Sequence, residues 1–196
     1  LTNKEYHLLR DSALRLIRAL KIEGGCNVQF AVNPQSFDYY VIEVNPRVQV
    51  EHTVTEEVTG IDIVQAQIRI AEGRTLAEAT GIARQEDIRL RGHALQCRVT
   101  TEDPQNNFIP DYGRITAYRS ATGMGIRLDG GTAYAGGVIT RYYDSLLVKV
   151  TAWAPTPAQA IARMDRALRE FRIRGVSTNI DFVINLLKHP TFLSNE

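Results

Sequence analysis

Between Tyr40 and His52 the chain alternates between apolar and polar side chains. Isoleucine, valine or proline occupies each even position from 42 to 50, and a polar residue occupies each odd position from 43 to 51. A period of two residues predicts a half-buried β-strand. The polar face of that strand would hold Glu43, Asn45, Arg47, Gln49 and Glu51 in one row. Alternation alone favours an ordinary strand with one wet face.

A second alternating stretch lies just before this strand. Val28, Phe30 and Val32 are apolar, Gln29 lies between them, and residues 33–36 form a turn-rich Asn-Pro-Gln-Ser segment. A hairpin centred near Ser36 would place position 29 opposite position 43, with Cβ atoms about 4.5–5.5 Å apart. Oxygen atoms of Gln29, Glu43 and Asn45 could then bind one hard cation.

The rest of the chain mixes helical and strand patterns. Thr2 and Glu5 have the spacing of a capping box before an amphipathic helix, and apolar residues from Ile61 to Ala71 form a second helical stripe. Residues 53–60 include turn and capping residues and are expected to form a turn before this second stripe. Short strand patterns between 93 and 128 and helical patterns after Thr156 complete an α+β sequence. We place a domain boundary near residue 90.

Composition narrows the class of protein. The chain has 196 residues, 44% of them hydrophobic, and a net charge of +1. This charge gives no general attraction to nucleic acid or to an anionic membrane, and no apolar run approaches the ~20 residues of a spanning helix. Cys26 and Cys97 lack metal-site or redox spacing and are expected to be buried structural thiols in a reducing compartment, the cytoplasm.

The polar row belongs to a longer signature. From Glu43 through Asn45, Pro46, Arg47, Gln49, Val50, Glu51 and His52, the chain resembles the active-site strand of the biotin carboxylase family, in the form found in pyruvate carboxylases. The resemblance implies the C-terminal half of an ATP-grasp domain over residues 1–90. It also implies a biotin carboxylase C-terminal domain, a small antiparallel sheet with helices, over residues 91–196.

The resemblance implies an ATP-dependent ligase and a set of roles. Gln29, Glu43 and Asn45 would hold Mg²⁺ or Mn²⁺ with ATP, and Arg47, Gln49 and Val50 would bind bicarbonate and biotin. Glu51 would be the catalytic base, assisted by Arg47. Biotin would be carried on another domain, and we expect a homo-oligomer in the full-length enzyme.

Arg127 is the last residue that the resemblance singles out. It follows the Gly123-Met124-Gly125 turn, where the pattern alone favours a hairpin with a surface arginine. The family resemblance instead implies that Arg127 contacts biotin and stabilises its deprotonated form, a role that suits a permanent cation.

A second resemblance covers residues 1–47. Residues 1–6 and 24–34 resemble the large subunit of carbamoyl-phosphate synthetase, which leaves a fragment of that enzyme as an alternative. A non-catalytic assembly module that uses the arginine-rich helix after Thr156 is another. The chain starts at Leu1 and has no glycine-rich phosphate loop with lysines. We therefore expect a segment of a longer enzyme that has little or no activity alone.

Overall fold

The computed structural model describes residues 1–194 and confirms an α+β arrangement. The chain divides into two compact units. The first contains Leu1–His52 and Thr59–Arg89, and the second contains Thr53–Val58 and the chain from Leu90 onward. Within residues 1–194, no helix has both the length and the apolar character needed to cross a membrane.

The first unit is built from a long helix, a hairpin and two shorter helices. In chain order these are α1 Asn3–Leu20, β1 Asn27–Val32, β2 Tyr39–Asn45, α3 Ile63–Ala71 and α4 Leu76–Thr80. The predicted capping box is present, because the Thr2 side chain accepts from the Glu5 amide and the Glu5 carboxylate accepts from the Thr2 amide. β1 and β2 pair antiparallel.

Two side-chain hydrogen bonds fix the helices of the first unit to the hairpin and its entry turn. The hydroxyls of Ser12 in α1 and Tyr39 in β2 lie 2.9 Å apart. In α3, Gln67 Oε1 accepts from the Gly25 amide at 3.0 Å. A Cβ on Gly25 would lie 2.9 Å from that same oxygen, so a larger residue would displace the Gln67 side chain from this hydrogen bond.

The second unit has more strands than helices. Its helices and strands are α2 (52–59, of which Thr53–Val58 lie in this unit), β3 His93–Thr100, β4 Glu102–Asp103, β5 Ile109–Pro110, β6 Gly113–Arg114, β7 Ala117–Arg119, β8 Ile126–Gly130, β9 Val138–Ile139, β10 Leu146–Ala154, α5 Pro157–Glu170, β11 Arg172–Arg174, α6 Ile180–Leu186 and α7 Pro190–Ser194. The main sheet is antiparallel with the order β3-β10-β8.

The core of the second unit lies between this sheet and α5. Val99, Leu147 and Val150 from the sheet and Met164 and Leu168 from the helix are almost completely excluded from solvent. The opposite face of the sheet is polar, because neighbouring side chains along a strand point to opposite sides. One row across that face contains Gln96, Thr151 and Arg127.

Both cysteines are free thiols, as predicted, but each residue is only partly buried, which corrects the prediction of buried thiols. Burial raises the pKa of the Cys97 thiol to about 12, so it stays protonated and unreactive at neutral pH. The residues from 53 to 59 form helix α2 rather than the predicted turn.

Candidate functional site

The β1–β2 hairpin brings a set of polar side chains onto one face. Gln29 lies directly opposite Glu43, as the sequence predicted, and Asn27 lies opposite Asn45. The register shifts by one residue after Gln29, so the strict alternation predicted for the whole hairpin ends there. The Nδ2 atom of Asn45 donates to Oε1 of Glu43 at 2.9 Å.

The predicted strand does not continue to His52. β2 ends at Asn45, and α2 begins at His52. Pro46 has no amide hydrogen for the sheet, and the Arg47 amide bonds to the Asn45 carbonyl at 2.8 Å, which turns the chain. The prediction of five polar side chains on one straight strand is therefore wrong beyond Asn45.

The turn nevertheless returns Glu51 to the hairpin. The Nδ2 atom of Asn27, the first residue of β1, donates to Oε1 of Glu51 at 2.7 Å. In the same turn, Arg47 Nη1 donates to Gln49 Oε1 at 2.9 Å. Val50 is half-buried between Gln49 and Glu51.

We call Asn27, Gln29, Glu43, Asn45 and Glu51 the hairpin site. Its two carboxylates accept from amides, and among residues 1–194 neither forms an ion pair. The side-chain oxygen Oδ1 of Asn27 is buried and has no hydrogen-bond partner in the described part of the chain. Within the described part of the chain, the site thus combines carboxylates that no cation pairs with and a buried amide oxygen without a hydrogen-bond partner.

The donor set of the hairpin site suits one kind of metal ion. No group of three or more His, Cys, Asp or Glu side chains within residues 1–194 is arranged to hold a metal. Mg²⁺ is commonly bound by one or two carboxylates, with waters and substrate phosphates completing its six ligands. Glu43 with the amide oxygens of Gln29 and Asn45 meets that description, provided that the Asn45 amide turns its oxygen inward.

A cavity of about 320 Å³ lies beside the turn in the first unit. It is lined by Glu23, Gly24, Pro46, Arg47, Gln67, Ile70 and Ala71. Arg47 is therefore the positively charged group next to an open volume. Among the described residues it has no carboxylate partner.

Arg127 lies in the second unit, at the centre of an ion-pair group that we call the arginine cluster. Its Nη1 atom lies 2.6 Å from Glu56 Oε2, and its Nε and Nη2 atoms donate to both oxygens of Asp129 at 2.9 and 3.1 Å. Glu57 lies 3.9 Å away. Burial acts to lower the pKa of Arg127, but the hydrogen bonds of Asp129 and Glu56 outweigh it and raise that pKa. The guanidinium therefore stays charged, and the carboxylates of Glu56 and Asp129 compensate its charge.

The arginine cluster attaches α2 to the polar face of the main sheet. Glu56 is 8% exposed, and the hydroxyls of Thr53 and Thr151 meet at 2.7 Å in the same layer. On this face Arg98 and Lys149 occupy the row next to Arg127. Arg98 is exposed, and within residues 1–194 its guanidinium has no hydrogen-bond or ion-pair partner.

Sequence reasoning missed Asn27 and Glu56. Asn27 could have been found, because it shares the odd-numbered face of β1 with Gln29. Glu56 had no such signal, since its partner Arg127 is 71 residues away in the chain. The roles assigned to the other site residues stay predictions.

Two family models match the chain. The biotin carboxylase C-terminal domain matches residues 96–196, and the ATP-binding domain of the carbamoyl-phosphate synthase L chain matches residues 1–79. Pyruvate carboxylase 1 of Caenorhabditis elegans is 57% identical over 181 residues, which cover 92% of this chain and 15% of that protein. The chain thus spans less than a fifth of the curated relatives it matches.

The chain is also similar to solved structures of pyruvate carboxylases and biotin carboxylase domains. A structure of Rhizobium etli pyruvate carboxylase T882A with the allosteric activator acetyl coenzyme A superimposes with a TM-score of 0.92 at 60% identity. It covers all of this chain and 20% of that one. The biotin carboxylase domain of Hydrogenobacter thermophilus 2-oxoglutarate carboxylase, in complex with MgADP, ADP and bicarbonate, gives a TM-score of 0.89 at 36% identity. It covers 100% of this chain and 42% of that chain.

Proposed function

The chain belongs to the biotin carboxylase family, and we propose that it supplies the metal and bicarbonate part of an ATP-dependent carboxylase most like pyruvate carboxylase. In such an enzyme, ATP phosphorylates bicarbonate to carboxyphosphate, and the carboxyl group is then passed to biotin on a carrier domain. We further propose that residues 1–90 complete an ATP-grasp domain and that residues 91–196 form the biotin carboxylase C-terminal domain. A homo-oligomeric full-length enzyme is part of the same proposal.

The observation that carries this proposal is the hairpin register. Gln29 and Glu43 are cross-strand partners, and Asn45 follows on the same strand. These three residues would hold Mg²⁺ or Mn²⁺, which neutralises charge on the ATP phosphates during phosphoryl transfer. A bound MgADP and a bicarbonate in the Hydrogenobacter thermophilus domain support the same ligands here.

Arg47, Gln49 and Val50 would bind bicarbonate next to the metal ligands. A guanidinium fork matches the two oxygens of a planar oxyanion, and Gln49 keeps the Arg47 fork in place through their hydrogen bond. Glu51 would then remove the bicarbonate proton, so that the resulting oxyanion attacks the γ-phosphate of ATP. ADP leaves, and carboxyphosphate forms.

The second step needs a cation for the anion of biotin. Biotin would accept carbon dioxide from carboxyphosphate at this step, after losing its proton to the phosphate that is released. The family resemblance implies that Arg127 would stabilise that anion. Because Asp129 and Glu56 already neutralise Arg127, the open Arg98 on the same face is a second candidate.

The alternatives fit the observations less well. The carbamoyl-phosphate synthase model matches residues 1–79, whereas the pyruvate carboxylase of Caenorhabditis elegans aligns with 92% of the chain. An assembly module that uses the arginines of α5 is less favoured too, because Arg166 and Arg169 pair with Glu170 and Asp165 within the helix.

Replacing Glu51, the proposed base, tests the proposal directly. Residues 1–196 would replace the matching segment of Rhizobium etli pyruvate carboxylase, and the chimera would carry Glu51→Gln. We expect bicarbonate-dependent ATP cleavage to fall by about 10²–10⁴-fold, the usual contribution of a general base. The exposed Glu72→Gln should leave the rate unchanged. Full activity of the Glu51 variant would refute the proposal, and turnover by residues 1–196 alone would refute the expected dependence on the missing part.

A further inference from the structure

Asn27 contacts the proposed base from a different strand. Its Nδ2 atom donates to Glu51 Oε1 at 2.7 Å across 24 residues of sequence. In residues 1–194, this is the only hydrogen bond made by the Glu51 carboxylate. The position of Glu51, which lies in the turn and outside the sheet, therefore depends on the side chain at the start of β1.

The oxygen atom of the Asn27 side chain shows that the stability of the hairpin does not account for an amide at this position. Its Oδ1 atom is buried without a hydrogen-bond partner among the described residues, and such an acceptor loses its hydration for no return. Asparagine is also depleted in strands, where valine and threonine are favoured. Stability of the hairpin alone would favour a different residue.

The amide cannot relieve this by turning over. A flipped amide would place Oδ1 against the Glu51 carboxylate, so that two acceptors would face each other. The contact to Glu51 therefore fixes the orientation of the amide and leaves Oδ1 buried. The side chain is oriented for Glu51 at the expense of its own acceptor.

We propose that Asn27 is a positioning residue that aims Glu51 at bicarbonate, an inference that rests on the proposed role of Glu51 as base. A neutral donor fixes the Oε1 oxygen without forming an ion pair, which would oppose proton uptake. The Oε2 oxygen then stays available for the bicarbonate proton. Asn27 itself touches no reacting atom.

The test compares two variants of nearly equal shape in the chimera described above. Asn27→Val removes the donor, whereas Asn27→Thr keeps a hydroxyl donor on a side chain of the same branching. For Asn27→Val we expect kcat of bicarbonate-dependent ATP cleavage to fall about 10–100-fold, the range typical when a residue that orients a functional side chain is removed. The KM for ATP should change less than about twofold, because Asn27 does not contact ATP in the proposed mechanism.

The threonine variant separates positioning from structure. Asn27→Thr should retain a kcat several-fold above that of Asn27→Val, while both unfold at the same urea concentration. Thr101→Val, which removes the other buried unpaired oxygen found within residues 1–194, should retain the parent kcat. Equal loss in the Thr and Val variants, or no loss in either, overturns the inference. If Glu51→Gln is itself active, the proposed function fails instead.

Discussion

The hairpin site and the arginine cluster contain similar side chains in opposite arrangements. In the hairpin site, the carboxylates of Glu43 and Glu51 accept only from neutral amides among the residues from 1 to 194. In the arginine cluster, Glu56 and Asp129 pair directly with one guanidinium. Unpaired charge favours binding of an ion, whereas paired charge favours a fixed structure. The hairpin site therefore suits the ligand-binding role proposed for it, whereas the contacts of the arginine cluster hold α2 on its sheet.

The largest effect should come from Glu43, the carboxylate proposed as a metal ligand in the hairpin site. Glu43→Gln in the chimera removes the one carboxylate proposed to hold Mg²⁺, and we expect ATP cleavage to fall by at least about 100-fold. The free energy of unfolding should change by less than about 0.5 kcal/mol, because the side chain is exposed. Steady-state kinetics at several Mg²⁺ concentrations measure the first quantity, and urea unfolding measures the second. If Glu43→Gln lowered the free energy of unfolding and left ATP cleavage unchanged, the proposed contrast between the hairpin site and the arginine cluster would be wrong.

The arginine cluster should respond in the opposite way. Arg127→Met removes the guanidinium that pairs with the buried Glu56, and we expect the free energy of unfolding to fall by about 1–3 kcal/mol. Urea unfolding of the 196-residue chain can be followed by the fluorescence of Trp153, its single tryptophan, which lies in the second unit. Arg98→Met is the matched control and should leave stability unchanged.

The double variant Glu56→Met/Arg127→Met should be more stable than Arg127→Met, because no buried carboxylate is left behind. Equal stability of the Arg127 and Arg98 variants would contradict a structural role for the cluster. Biotin carboxylation by the same two variants in the chimera shows which arginine stabilises the biotin anion.

The smallest effect should come from an exposed ion pair. Arg169 donates to Asp165 through two nitrogens, at 2.8 and 3.1 Å, and this hydrogen bonding lowers the pKa of Asp165. A lowered pKa adds stability above the pKa of the unfolded chain, near 3.8, and that stability is lost as the pH falls through the folded value. Arg169→Gln should therefore unfold more easily than the parent at pH 7 and equally easily below about pH 3. A difference that grows on acidification would contradict this sign.

Local patterns were enough to predict much of the first unit. Thr2 and Glu5 are three residues apart and form their capping box within one helical turn. The Asn-Pro turn centred the hairpin, so period-two alternation placed Gln29 opposite Glu43. These features depend on neighbours in the chain, and for that reason the sequence was sufficient.

Only the tertiary structure decided how the hairpin site is completed. The same alternation continued past Asn45, but Pro46 and the Arg47 amide end the strand and turn the chain. The turn carries Glu51 to Asn27, and a contact across 71 residues joins Glu56 to Arg127. Periodicity describes which way a side chain points along one element. It contains no information about which distant element will meet it, because that depends on how the whole chain packs.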